Sequence, residues 1–149
     1  MNENSLHQKL QGAWRLTDYV AESQNGSVFY PLGPDASGYI MYTSDAHMSA
    51  TLMRPDRIKF ESTDMMGGTP DEHAGAAAGY LSYAGTFVVD EANEVVTHHI
   101  KTALVPNWID NEFKRKVILT GNKLELRALA PSPVALEMRL VRVIWERVR

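Results

Sequence analysis

The sequence predicts an all-β protein: an eight-stranded antiparallel up-and-down β-barrel with one short helix between strands three and four. Three observations carry this prediction. Eight short runs of alternating or β-branched residues are separated by turn-forming residues. The 149 residues suffice for one core and leave no room for a second, so residues 1–149 form a single domain. There is no cysteine, so the core must hold by burial alone, and a chain of this length removes roughly two-thirds of its unfolded surface from water.

The first strand runs from Gly12 to Ser23 and ends at the turn pair Asn25-Gly26. Strands two (Ser37 to Thr43) and three (His47 to Arg54) flank Ser44-Asp45-Ala46, as in a tight hairpin. Next, Thr69-Pro70-Asp71-Glu72 supplies an N-cap, a proline at the first helical position and acids in the first turn. An alanine-rich stretch follows to Tyr83, predicting a helix of about four turns, roughly 20 Å long. His73, Ala76, Ala77, Tyr80 and Ala84 would share one face of it, set either over the barrel mouth or against the barrel wall. The preceding Met65-Met66-Gly67-Gly68 reads as a mobile loop. Strands four (Gly85 to Asp90) and five (Glu94 to Leu104) flank Glu91-Ala92-Asn93. Thr120-Gly121-Asn122 joins strand six (Glu112 to Leu119) to strand seven (Lys123 to Ala130). The eighth, Ala135 to Val148, follows Pro131-Ser132-Pro133, whose prolines should interrupt any ladder.

Charge and composition exclude several classes of function. The net charge of −3 argues against a nucleic-acid or anionic-membrane partner, and Lys114-Arg115-Lys116 is too short to reverse that. The polar opening Met1-Asn2-Glu3-Asn4-Ser5 lacks a secretory signal, and no stretch approaches the ~18 apolar residues of a membrane span, so a soluble, cytoplasmic protein is expected. There is no Gly-x-Ser-x-Gly elbow, phosphate loop or dinucleotide fingerprint, which sets acyl-enzyme and nucleotide chemistry aside.

Eight antiparallel strands can close into a barrel whose interior is wide enough for side chains or one small ligand. Leu10-Gln11-Gly12-Ala13-Trp14-Arg15-Leu16 carries a Gly-x-Trp in the first strand. With it come Gly38 to Thr43, His47-Met48-Ser49-Ala50, Gly79 to Phe87, Thr97-His98-His99, and Pro106-Asn107-Trp108 followed by Arg115. On these residues the chain resembles a bacterial and fungal family of lipocalin-like domains, calycin-type barrels, along nearly its whole length. The resemblance implies ligand-binding character more strongly than any reaction. It also implies that Trp14 plugs the closed end beneath a late arginine, either Arg142 or Arg147.

Strand alternation sorts side chains between lumen and solvent. With Lys101 outside, His98, Val96, Ile100 and Thr102 point inward and His99 and Thr97 outward; with Lys114 and Lys116 outside, Phe113, Arg115, Val117 and Leu119 point inward. His98 and Arg115 thus enter an apolar interior, where a guanidinium needs a partner. A ligand carboxylate, enolate or phenolate would serve, as would an internal acid such as Asp18 or Glu112. Tyr39, Met41, Tyr42, Met48 and Met53 come from the hairpin of strands two and three, and alternation divides them between the faces. Trp108 and Asn107 occupy a rim loop, where the ring could close over an apolar ligand and the amide could contact it.

No metal and no cofactor are expected. His98 and His99 face opposite ways, and His7, His47 and His73 lack ligand spacing. A haem on His98 alone is the one cofactor the residues would allow. The leading reading is a binding protein for a small, mostly apolar molecule with one polar or anionic group, held by His98 and Arg115 among Tyr42, Met41, Met48, Met53, Trp108, Asn107 and Tyr83. One alternative is a cofactor-independent isomerase, cyclase or dehydratase acting on a small carbonyl compound, with His98 and Arg115 catalytic and Tyr42 or Tyr83 sharing the proton work. The other is a filled barrel serving as a structural or dimerisation module.

Overall fold

The computed structural model describes residues 4–149, so Met1-Asn2-Glu3 of the polar opening lie outside the described residues. In chain order the elements are α1 (Leu6–Leu10), β1 (Gly12–Ser23), β2 (Val28–Phe29), β3 (Ser37–Tyr42), β4 (His47–Met53), α2 (Pro70–Ala78), β5 (Tyr80–Asp90), β6 (Val95–Ala103), a 3-10 turn (Pro106–Trp108), β7 (Glu112–Thr120), β8 (Lys123–Ala128), β9 (Ser132–Val134) and β10 (Glu137–Arg147). The strands join in the order β1-β3-β4-β5-β6-β7-β8-β10, and β1 pairs again with β10 to close the ring. All pairings are antiparallel, giving a closed eight-stranded up-and-down barrel without free edges. The short β2 and β9 extend the sheet beside β1 and β10.

The eight long runs read from the sequence are the eight barrel strands, with differences in detail. The helix is shorter. It spans only nine residues, stops at Gly79, and leaves Tyr80 to Ala84 to pair with β4. Helix propensity loses there because the ladder buries Leu81 and Tyr83 on the inner face, which a further helical turn would not do. No α2 side chain is buried. The helix packs beside the rim on the segment after β4, with Phe60 edge-on to His73 at 5.1 Å and Arg57 donating to the Ala76 carbonyl. Its N-terminus carries the capping box that Thr69 and Glu72 announce.

Second, the prolines do not end all pairing: Ser132–Val134 forms β9 against the start of β10. Pro133 is tolerated because β9 is the outer strand of that pair. Ala135 and Leu136, read as strand, form the intervening turn with positive φ of 50° and 69°. Third, β6 carries a bulge where Ala84 pairs with Thr102 and Gly85 with Ile100. The extra residue, Lys101, reverses the alternation beyond it, so Thr102, expected inside, is exposed. A Cβ at Gly85 would lie 1.8 Å from the His99 carbonyl oxygen, so the strands approach this closely only across glycine. Fourth, the five-residue α1 has no counterpart in the sequence reading, being too short for a periodic signal.

α1 closes the barrel end at which β1 begins. Glu91 accepts from the Leu6 and His7 amides, and the His7 ring stacks on Phe87 at 5.0 Å. Trp14 is fully buried and donates its indole N–H to the Leu10 carbonyl at 2.9 Å. Arg147 is the arginine over it, its guanidinium 4.1 Å from the ring centroid and also donating to the Gln11 and Lys9 carbonyls. Such a stacked cation contributes roughly 0.5 to 2 kcal/mol. Arg142 instead binds Glu125 and Glu22.

Gly12 makes this clamp possible. Its φ is +118°, and a Cβ there would sit 3.1 Å from the Arg147 guanidinium. Gly12→Ala is therefore expected to lower unfolding stability by about 1 to 2 kcal/mol, read as an earlier urea midpoint with unchanged slope.

Candidate functional site

The opposite half of the barrel is hollow. A cavity of about 320 Å³ is lined by inward side chains of β1, β3, β4, β5, β7, β8 and β10, by Trp108, and by the β9 segment Ser132-Pro133-Val134. Most of the lining is aliphatic or aromatic, from Ile40, Leu52, Leu81, Leu126, Val141, Val143, Phe113 and Trp108. Its polar members are Tyr19, Tyr83, Arg115 and Ser132; no carboxylate is among them.

Alternation places β6 and β7 as read. Val96, His98 and Ile100 are buried, and His98 and Val96 lie opposite Phe113 and Arg115. The ring of Phe113 organises the polar end of the cavity. Tyr83 and Trp108 meet it edge-on at centroid distances of 5.4 and 5.2 Å, and the Arg115 guanidinium lies 5.1 Å from it. Arg115 donates to its neighbour's carbonyl, that of Lys114, at 3.0 Å. Neither acid considered as its partner reaches it. A bulge at Thr17 turns Asp18 away and brings Tyr19 inward opposite Val143, while Glu112 pairs with His99 at 3.4 Å. Among the described residues, no carboxylate forms an ion pair with Arg115.

His98 is wholly buried and does not line the cavity. The Tyr42 hydroxyl meets its Nε2 at 2.7 Å and the Tyr83 hydroxyl its Nδ1 at 3.1 Å. Burial, then the charge of Arg115, holds its pKa down to about 3, so the imidazole is neutral at physiological pH. Burial also raises both tyrosines, Tyr83 to about 12 and Tyr42 well above the ordinary phenol, so both keep their protons. With both ring nitrogens occupied, His98 is not poised to ligate a haem iron. Among the described residues, no group of three or more His, Asp or Glu gathers at metal-binding distance.

The other candidates separate. Tyr83 and Trp108 line the cavity; Tyr42 and Met48 are buried and do not line it, Tyr42 packing edge-on against Phe87. Met41 and Met53 are exposed on the outer face with Tyr39, because they alternate with the buried Ile40, Tyr42 and Leu52. Asn107 is exposed, and its backbone carbonyl accepts from the Asn111 side chain at 2.7 Å. Tyr19, Trp145 and the β9 segment were not among the sequence candidates. Tyr19 was hidden by the bulge at Thr17, whereas Trp145 was accessible through its alternation with Val141 and Val143 in the last run.

Residues 11–148 match the model of a family described as lipocalin-like domain. The 4'-hydroxy-3'-methoxypropiophenone carrier protein of Aspergillus oryzae is 34% identical over 94 residues, which span 59% of this chain and 85% of that protein. A lipocalin-like protein from Bacteroides uniformis, known as a crystal structure, aligns with a TM-score of 0.47 and 13% identity over 93% of this chain and 98% of its own. No helix among the described residues is long and apolar enough to cross a membrane.

The state of His98 predicts acid sensitivity. Its folded pKa, about 3, lies below the ordinary 6.5, so between these values the unfolded chain binds a proton that the folded protein excludes. Stability contributed by the neutral ring is complete above pH 6.5 and is lost as pH falls below it. Urea unfolding between pH 6.5 and 5, above the carboxylate range, should show a decline approaching about 1.4 kcal/mol per pH unit. In His98→Gln this component of the decline should disappear.

Proposed function

This chain belongs to the lipocalin-like domain family, and we propose that its barrel carries one small, largely apolar molecule with a single anionic or strongly polar oxygen group. The carrying observation is Arg115: a half-buried guanidinium at an aromatic cavity, without a carboxylate partner among the described residues. A ligand phenolate, enolate or carboxylate would complete it through two parallel hydrogen bonds. Phe113, Trp108 and Tyr83 present ring edges and faces suited to a flat apolar body. The volume of about 320 Å³ sits at the small end of the roughly 300 to 1,000 Å³ typical of small-molecule sites. The relative's name adds a chemical class, since a hydroxyaryl ketone combines a flat ring, a phenol and a carbonyl.

The same geometry weighs against the alternatives. A proton-transfer enzyme would need a base at the cavity, yet His98 is saturated by two tyrosines and the lining has no carboxylate. A filled barrel would leave no space of this size. Carriage without turnover is the reading these observations support.

Titration of 4'-hydroxy-3'-methoxypropiophenone into the protein, followed by quenching of tryptophan fluorescence, tests the reading. Arg115→Met should weaken binding about tenfold or more, the order expected for a hydrogen bond to a charged group, while the outward Met41→Ser should leave it unchanged. Equal affinity in wild type and Arg115→Met would remove Arg115 from the site.

A further inference from the structure

We infer that the Tyr42–His98–Tyr83 chain runs in one direction, Tyr42 donating to Nε2 and Nδ1–H donating to Tyr83, so that the Tyr83 hydroxyl offers its proton to a carbonyl-type oxygen in the cavity. Selection of such an oxygen rests on the carrier reading above; the direction of the chain does not.

A neutral imidazole has one N–H and one bare nitrogen, so two arrangements satisfy its ring. If Tyr83 donated to Nδ1, Nε2–H would donate to Tyr42, and the Tyr42 proton would need another acceptor. Tyr42 is 2% exposed, does not line the cavity, and its hydroxyl has no hydrogen bond besides that to His98 among the described residues. That arrangement strands a buried O–H donor, which is costly. In the opposite arrangement Tyr42 is satisfied by donating, and the proton left over belongs to Tyr83. Tyr83 does line the cavity, where a ligand or water can accept it. Burial thus breaks the symmetry between the two tyrosines.

A second feature points to the same ligand chemistry. Tyr83 and Arg115 both present donors at the cavity, and no carboxylate among the described residues lines it to receive an ammonium group. The complementary ligand is rich in acceptor oxygens, an aryl ketone in preference to an amine. Arg115 takes the anionic oxygen and Tyr83 a neutral one.

Long-range proton–nitrogen NMR of uniformly ¹⁵N-labelled protein at pH 7 reads the His98 tautomer directly. The expected result is a protonated Nδ1 and a bare Nε2; a protonated Nε2 overturns the inference, with or without ligand. Tyr83→Phe should retain the Nδ1–H form, since Tyr42 still donates to Nε2; a switch to Nε2–H in that variant would also overturn it. For the ligand, calorimetry compares 4'-hydroxy-3'-methoxypropiophenone with 2-methoxy-4-propylphenol, which lacks only the ketone oxygen. Wild type should prefer the ketone, and Tyr83→Phe should lose about five- to tenfold of that preference. Equal binding by the wild type overturns the role of Tyr83 as ketone donor. If neither compound binds, the carrier reading for this ligand class fails, and the tautomer still decides the direction of the chain.

Discussion

The double pairing of β1 is the constraint on which the rest of the barrel depends. Residues 12–15 pair with β3 and residues 14–23 with β10, so one strand forms the seam that turns a meander into a ring. At the start of that strand lies the floor, where Trp14 fills the end of the lumen beneath α1 and Arg147 stacks on the indole. Arg147 also donates to two carbonyls of the chain just before β1. First and last strands are thus tied by backbone ladder, ring stacking and side-chain hydrogen bonds together. With this end shut, the hollow of the barrel lies at the other.

Two bulges then determine what the hollow contains. The one at Thr17 brings Tyr19 to the cavity and sends Asp18 away from it, depriving Arg115 of an internal partner. The other, across Gly85, returns Thr102 to solvent where β6 approaches the rim. Each inserts a single residue, yet each reverses the facing of the side chains beyond it. The chemistry of the lumen is therefore a matter of strand parity as much as of composition.

Buried polar groups at the cavity are arranged in depth. His98 sits behind Tyr83, neutral and engaged at both nitrogens, while Arg115 and Tyr83 face the space a ligand would fill. Burial that silences the imidazole as a base makes it a rigid link between two hydroxyls. This arrangement accords with the carrier role proposed for the cavity.

The sequence by itself determined the barrel, its eight strands and the inward facing of His98 and Arg115. These follow from turn residues and alternation, which act over a few residues. The floor residue Trp14 was also legible, through the family resemblance carried by Gly12 and its neighbours. What only the tertiary structure decided depends on residues distant in the chain meeting in space. It chose Arg147 over Arg142, left Arg115 without an acid, ended α2 at Gly79 because β4 claimed Tyr80 to Ala84, and set His98 between Tyr42 and Tyr83. Local pattern carries no information about such meetings, since a single bulged residue reverses a strand's faces and a hydrogen bond spanning 56 residues leaves no periodic trace.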